Sequence, residues 1–196
     1  MSRFMIASDL HGDAEAVEKL IKRYRELSAE RLILLGDLLY HGPRNDLPDG
    51  YAPKRVIELL NSMADELLCV RGNCDTEVDA MVLKFPILAD YAYISCGDVR
   101  VFATHGHKFD RNNPPPLKPG EILLHGHTHV SGVWEFGRDN FCINPGSVSI
   151  PKEGTPKGFI LWENNRFDFY DLDAGAALTF LLKKKSKQKK TILKSI

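Results

Sequence analysis

Five times in this chain a short apolar run ends abruptly on a polar cluster. Residues 3–8 end at Asp9-Leu-His11, residues 32–35 at Gly36-Asp37, residues 67–70 at Gly72-Asn73, residues 98–104 at His105-Gly106-His107, and residues 122–124 at His125-Gly-His-Thr-His129. Runs such as Leu32-Ile-Leu-Leu35 carry no polar alternation, which fits strands buried on both faces beside parallel neighbours. Parallel strands present all their carboxyl ends on one edge, so residues distant in sequence can converge there. The pattern therefore restricts the chain to a sheet-centred α/β fold with its chemistry on the strand-terminal loops.

Between these runs the periodicity changes. Ala16, Val17, Leu20, Ile21, Tyr24 and Leu27 share one face of a helix expected over residues 13–30. A second helix is expected over residues 53–64, with Pro53 in its first turn, and a short third over residues 76–82. The later half is richer in strands: hairpins over 91–104, 132–143 and 158–171, the last turning at Asn164-Asn165, and a closing strand at 176–182. The expected architecture is a four-layer α/β sandwich of two mixed sheets flanked by helices, a single domain over residues 1–182.

Formal charge is zero, but it is unevenly spread. Seven of the 26 basic side chains are lysines between Lys183 and Lys194, leaving 19 basic against 26 acidic in residues 1–182. The body is acidic, which argues against a broad nucleic-acid groove; the 183–196 tail is read as a solvated, disordered end, with nucleic-acid contact through it as the lesser alternative. No segment has the length of a membrane span or the pattern of a secretion signal, so a cytoplasmic protein is expected. Cys69, Cys74, Cys96 and Cys142 lack CxxC spacing and read as free thiols.

Residues two apart on an extended segment project to one side, so His127 and His129 aim neighbouring imidazoles at one region. His125 shares that parity but adjoins the strand, and is read as packed or hydrogen-bonded. Carboxylate, imidazole and carboxamide donors together suit a borderline divalent ion such as Mn²⁺, Fe²⁺ or Zn²⁺. A pair of ions is expected, bridged by a carboxylate whose two oxygens can bind both. No Gly-x-Ser-x-Gly elbow, Walker loop or Gly-x-Gly-x-x-Gly motif competes with this reading.

The ordered set Asp9-Leu-His11, Gly36-Asp37, Gly72-Asn73-Cys74-Asp75, Thr104-His105-Gly106-His107 and Gly126-His127-Thr-His129 resembles the calcineurin-like metallophosphoesterase superfamily over residues 1–171. The 39–53 loop and Asn144-Pro-Gly-Ser-Val-Ser-Ile-Pro151 resemble its small bacterial phosphodiesterases. The resemblance implies Asp9, His11, Asp37 and His129 around one ion and Asp37, Asn73, His105 and His127 around the other. It implies two divalent ions, with Mn²⁺ expected and Zn²⁺, Fe²⁺ or Ni²⁺ as alternatives. It implies hydrolysis of small phosphodiesters by in-line attack of a water or hydroxide held between the ions. A homo-oligomer is also expected.

Cys74 departs from the pattern, because many relatives carry a histidine there that serves the leaving group; a thiol is a weaker acid catalyst. His107, His41, Arg44, Asn45 and Arg71 are candidates for substrate contact or for supporting the ligands. Asn144 is expected to order the turn it begins, and Asp75 to cap a helix or accept hydrogen bonds behind the ligands. Two alternatives stay open: a phosphomonoesterase with the same centre, and a scaffold that keeps the fold without catalysis.

Overall fold

A computed structural model describes residues 2–182; the lysine-rich end lies outside the described residues. β1 (Arg3–Ala7) pairs in parallel with β2 (Arg31–Leu34), and β2 with β3 (Leu67–Cys69). On its other side β1 meets β9 (Gly158–Glu163) antiparallel, followed by β10 (Arg166–Asp171) and β11 (Gly175–Leu181). This gives a six-stranded mixed sheet ordered β11-β10-β9-β1-β2-β3. The second sheet, ordered β4-β5-β6-β8-β7, joins β4 (Tyr91–Cys96), β5 (Val99–Thr104), β6 (Ile122–Leu124), β7 (Gly132–Phe136) and β8 (Asn140–Asn144). β5, β6 and β8 run parallel at its centre.

Strand parity sorts the core. Met5 and Ala7 of β1 and Leu32 and Leu34 of β2 face α1 (Ala14–Glu26) and α2 (Pro53–Asn61), meeting Val17, Leu20, Tyr24, Val56 and Leu60. Ile6 and Ile33, one residue out of phase, face the second sheet and pack with Val101, Ala103, Ile122, Leu124, Ile143 and Trp162. Truncating fully buried Leu20 to alanine would cost about 2–5 kcal/mol. On the outer face of the second sheet Phe102, Leu123 and Cys142 are covered by Phe109, Leu117, Trp134 and Phe136. Trp134 and Phe136 belong to β7, while Phe109 and Leu117 come from a proline-rich loop rather than a helix, since Pro114, Pro115, Pro116 and Pro119 remove the amide donors a helix needs.

The expected helix over 13–30 is shorter than its apolar stripe. Asp13 caps α1 by accepting from Ala16 N–H at 3.1 Å, but Leu27 is the C-cap and Ser28 turns into the left-handed region at φ 50°. The second helix likewise ends at Asn61, and residues 64–66 form a single 3₁₀ turn. Thr76, not Asp75, caps α3 (Glu77–Val82), through a reciprocal box with Asp79. All four cysteines are buried and free. No helix among the described residues is long and apolar enough to cross a membrane.

Candidate metal centre

Backbone pairing continues past the strand ends and carries the ligand loops with it. Asp9 N–H donates to Gly36 O at 3.1 Å and His11 N–H to Asp37 O at 2.9 Å, zipping the first two loops together. Gly126 N–H donates to His105 O at 2.8 Å, joining the two histidine loops of the second sheet. The sheets are tied where His127 N–H donates to Asp9 Oδ2 at 2.9 Å. Glycines permit this closeness: a Cβ on Gly36 would lie 2.3 Å from Gly72 N, and one on Gly72 2.1 Å from Asp37 Oδ1. Asp9, His11, Asp37, His127 and His129 all take positive φ, between 45° and 65°. Strain of this kind in non-glycine residues persists only where the surroundings enforce it, and it concentrates at functional sites.

The resulting side-chain geometry is a crowd of acceptors. His11 Nδ1 faces Tyr40 O at 2.8 Å and His129 Nδ1 faces Ile150 O at 2.8 Å. A carbonyl only accepts, so in each neutral ring the proton sits on Nδ1 and Nε2 is a bare lone pair. Those two Nε2 atoms stand 3.3 Å apart. Asp9 Oδ1 lies 3.2 Å from His129 Nε2 and 3.7 Å from His11 Nε2. His105 repeats the pattern: Nδ1 donates to Leu35 O at 2.7 Å, while Nε2 faces Asn73 Oδ1 at 3.0 Å, His127 Nδ1 at 3.2 Å and Asp37 Oδ1 at 3.5 Å. Asp37 reaches both groups, its Oδ2 being 3.7 Å from His11 Nε2.

Asp9 is fully buried, and its Oδ1 has no hydrogen-bond donor among the described residues. A carboxylate oxygen so placed is strongly unfavourable unless a cation is provided. The ligand atoms of Asp9, His11 and His129 lie within 4.8 Å of one another, as do those of Asp9, Asp37 and His105. The donor set and its spacing thus fit divalent ions. Burial would raise the pKa of Asp9, but the imidazoles of His11 and His129 beside it hold it well below the usual carboxylate range. Burial would lower the pKa of His105, yet Asp37 and Asp9 together raise it to about 9. His127, desolvated and beside His105, falls to about 4 and offers its ring nitrogen free of protons.

Around this core the other candidates divide. Arg44 and Asn45 line a cavity of about 40 Å³ whose floor is Asp37, Asn73, Cys74, His127 and His129. His41 lies behind that loop, its ring edge-on to Tyr40 and Tyr51 at 4.7 and 5.5 Å. Asn45 Nδ2 donates to its carbonyl at 2.8 Å. His107 is exposed, with its ring 5.5 Å from that of His105. Arg71 does not line the cavity: its guanidinium bonds Asp75 O at 3.2 Å and pairs with Glu77 at 3.5 Å. The Cys74 thiol is pushed far above its ordinary value, first by burial and then by Asp37. It accepts from Asn73 Nδ2 at 3.2 Å, which turns Asn73 Oδ1 toward His105.

Sequence reasoning missed Lys152, Ser147 and Ser149 as supporting residues, and the structure specifies what Asp75 and Asn144 do. Lys152 lines the cavity opposite Arg44, on a loop fixed to the site by Lys152 N–H donating to His129 O at 3.0 Å. Its only signal was proximity to the Asn144–Pro151 segment. Ser147 and Ser149 hydroxyls both donate to Asp9 O, at 2.7 and 3.1 Å, holding that residue in its strained conformation. Asp75, 2% exposed, accepts from the N–H groups of Asp37, Leu38 and Gly72 at 2.9, 2.9 and 2.7 Å, locking the second loop to the third. Asn144 orders the fifth, donating to Gly126 O and Thr128 Oγ1.

These loops at the carboxyl edges of two mixed sheets define a phosphoesterase of the calcineurin-like class, and the sequence agrees: residues 3–166 match the calcineurin-like phosphoesterase superfamily domain, so the chain belongs to that family. It is 46% identical over 165 residues to phosphodiesterase YfcE of Escherichia coli, covering 84% of this chain and 89% of that protein. The solved structure of that phosphoesterase superposes with a TM-score of 0.88 at 41% identity, over 92% of this chain and 100% of the other. Zinc-bound Vps29 of Entamoeba histolytica, 20% identical with a TM-score of 0.60 over 92% of this chain and 98% of its own, shares the fold.

Proposed function

We propose that this chain is a metal-dependent phosphodiesterase acting on small diesters. The observation that carries the proposal is the crowding of bare imidazole nitrogens and carboxylate oxygens around Asp37, with Asp9 Oδ1 orphaned in the interior. Asp9, His11, Asp37 and His129 would hold one ion, and Asp37, Asn73, His105 and His127 a second. Such ions supply an activated water nucleophile and neutralise charge on the phosphoryl oxygens. Mixed nitrogen and oxygen donors without thiolate favour Mn²⁺, with Zn²⁺, Fe²⁺ or Ni²⁺ as competitors.

The chain's own part is orientation. Arg44, Asn45 and Lys152 line the entrance, where their donors meet nonbridging oxygens and orient the diester. The neutral Cys74 thiol is a poor proton donor to a leaving alkoxide, so esters with good leaving groups are the favoured class. Similarity to a curated phosphodiesterase supports diester over monoester. We read residues 1–182 as one cytoplasmic domain. Tyr91 and Tyr93, 52% and 57% exposed on edge strand β4, support self-association.

The test is hydrolysis by Mn²⁺-loaded protein across aryl and nucleotide diesters and matched monoesters. Diester turnover that disappears with EDTA and returns with Mn²⁺ is expected. High monoester rates with no diester turnover would move the substrate class. Calorimetry showing no divalent-ion binding, with no turnover at saturating ions, would leave only a scaffold.

A further inference from the structure

A second cavity, of about 190 Å³, lies on the opposite side of the loop that carries the histidine ligands. Residues 127–130 alternate between the two: His127 and His129 line the metal centre and Thr128 and Val130 the other space, and Lys152 and Glu153 divide the same way. The second cavity is also bordered by His125, Trp134, Arg111, Cys142 and Asp110.

Three features describe what would fill it. The Trp134 ring forms one wall, and the Arg111 guanidinium carbon sits 5.1 Å from its centroid, so the guanidinium covers that ring face and offers its own outer face to a planar, π-rich guest. His125 is 4% exposed; its Nδ1 lies 2.9 Å from Gly126 O, and its Nε2 has no hydrogen-bond partner among the described residues. With the Nδ1 hydrogen directed at that carbonyl, Nε2 is an acceptor wanting an N–H donor. Asp110 and Glu153 add two carboxylates to the lining against the single Arg111 guanidinium, which disfavours a phosphate-bearing guest and leaves a neutral one acceptable.

We propose that this cavity is a binding site for a neutral, amino-bearing nitrogen heterocycle of the nucleobase or nucleoside class, stacked at Trp134 and Arg111 and donating to His125 Nε2. The site is separate from the metal centre and does not depend on the reaction assigned to it.

The experiment is calorimetric titration of the full-length, Mn²⁺-supplied protein with adenosine, which carries no phosphate for the ions. One-site binding is expected, unchanged by saturating inorganic phosphate. Trp134→Leu and Arg111→Ala should each weaken it at least about five-fold, within the range of lost base stacking. Purine riboside, which keeps the ring but lacks the amino group, should bind at least about ten-fold more weakly, because it brings no donor for His125 Nε2. Arg111 is exposed, so its variant should fold even if Trp134→Leu does not. No heat at millimolar adenosine, loss of binding with phosphate, or affinity indifferent to both Arg111→Ala and the missing amino group would overturn the proposal.

Discussion

Asp75→Asn is the sharpest perturbation of how the loops are held, because it preserves shape and changes only charge and one acceptor. The carboxylate takes three backbone N–H bonds: Asp37 and Gly72 at Oδ2 and Leu38 at Oδ1. If the asparagine oxygen keeps the first pair, its amide faces Leu38 N–H, donor against donor. A buried N–H left unpaired costs about 1–3 kcal/mol, and two bonds that lose charge assistance weaken by roughly 1 kcal/mol each. Against this, removing the charge relieves desolvation, the largest influence raising the pKa of Asp75. The net loss expected is about 2–4 kcal/mol, or roughly 5–15 °C in Tm for a chain of this length. Because two of the bonds fix the backbone at and beside Asp37, Mn²⁺ affinity should fall about 10–100-fold. Urea denaturation in EDTA reads the first effect and metal titration the second. Stability within about 0.5 kcal/mol of the parent would refute the hydrogen-bond argument. Unchanged Mn²⁺ affinity would refute the link to Asp37.

The remaining predictions are simpler. Gly126→Ala sets a Cβ 1.8 Å from Ser8 Oγ and 2.5 Å from Asp9 Oδ2, so a destabilisation of at least about 2 kcal/mol is expected by chemical denaturation; a neutral effect would mean that the loops are not so closely apposed. Cys74→His should raise turnover on an alkyl diester several-fold by supplying a better proton donor, and rates at or below the parent's would sink that role. Glu66 is held below its usual pKa, chiefly by Arg25 and against burial, with a further bond from Tyr24. A depressed carboxylate stabilises the fold above its unfolded value of 4.5, and that contribution is lost as pH falls through the lower folded value. Glu66→Gln should therefore show a shallower fall in urea midpoint than the parent as the solution is acidified below pH 4.5; coincident acid limbs would exclude the linkage.

Much of the candidate site was legible because residues able to hold a metal announce themselves twice, by residue type and by position after an apolar run. Asp9, Asp37 and His105 follow strands whose side chains have no polar alternation, and the structure brings all three together. What stayed hidden was whatever acts through the backbone. Asp75 reads in sequence as either a helix cap or an acceptor behind the ligands; it is the acceptor, and nothing in sequence tells that two of its N–H partners, Asp37 and Leu38, come from a loop 37 residues and more away. Ser147 and Ser149 read as ordinary turn residues because their target, a carbonyl, has no sequence signature. Helix ends were overrun for a related reason: Leu27 continues the apolar stripe, and only the left-handed turn at Ser28 stops α1. Arg71, a candidate by its nearness to Asn73, is instead engaged by Asp75 O and Glu77.

The second bonds made by the histidines bear on which ion the molecule carries. His11, His105 and His129 are each anchored through Nδ1 to a backbone carbonyl, of Tyr40, Leu35 and Ile150 respectively. Their orientation is set by backbone carbonyls, so the three imidazoles are aimed at the candidate site by the chain itself. A site arranged in this way does not single out one ion, and supply enters the choice. Where several divalent cations compete, the occupant reflects the local free-ion pool as well as the ligands, and one polypeptide purified from differently fed cells should carry different metals.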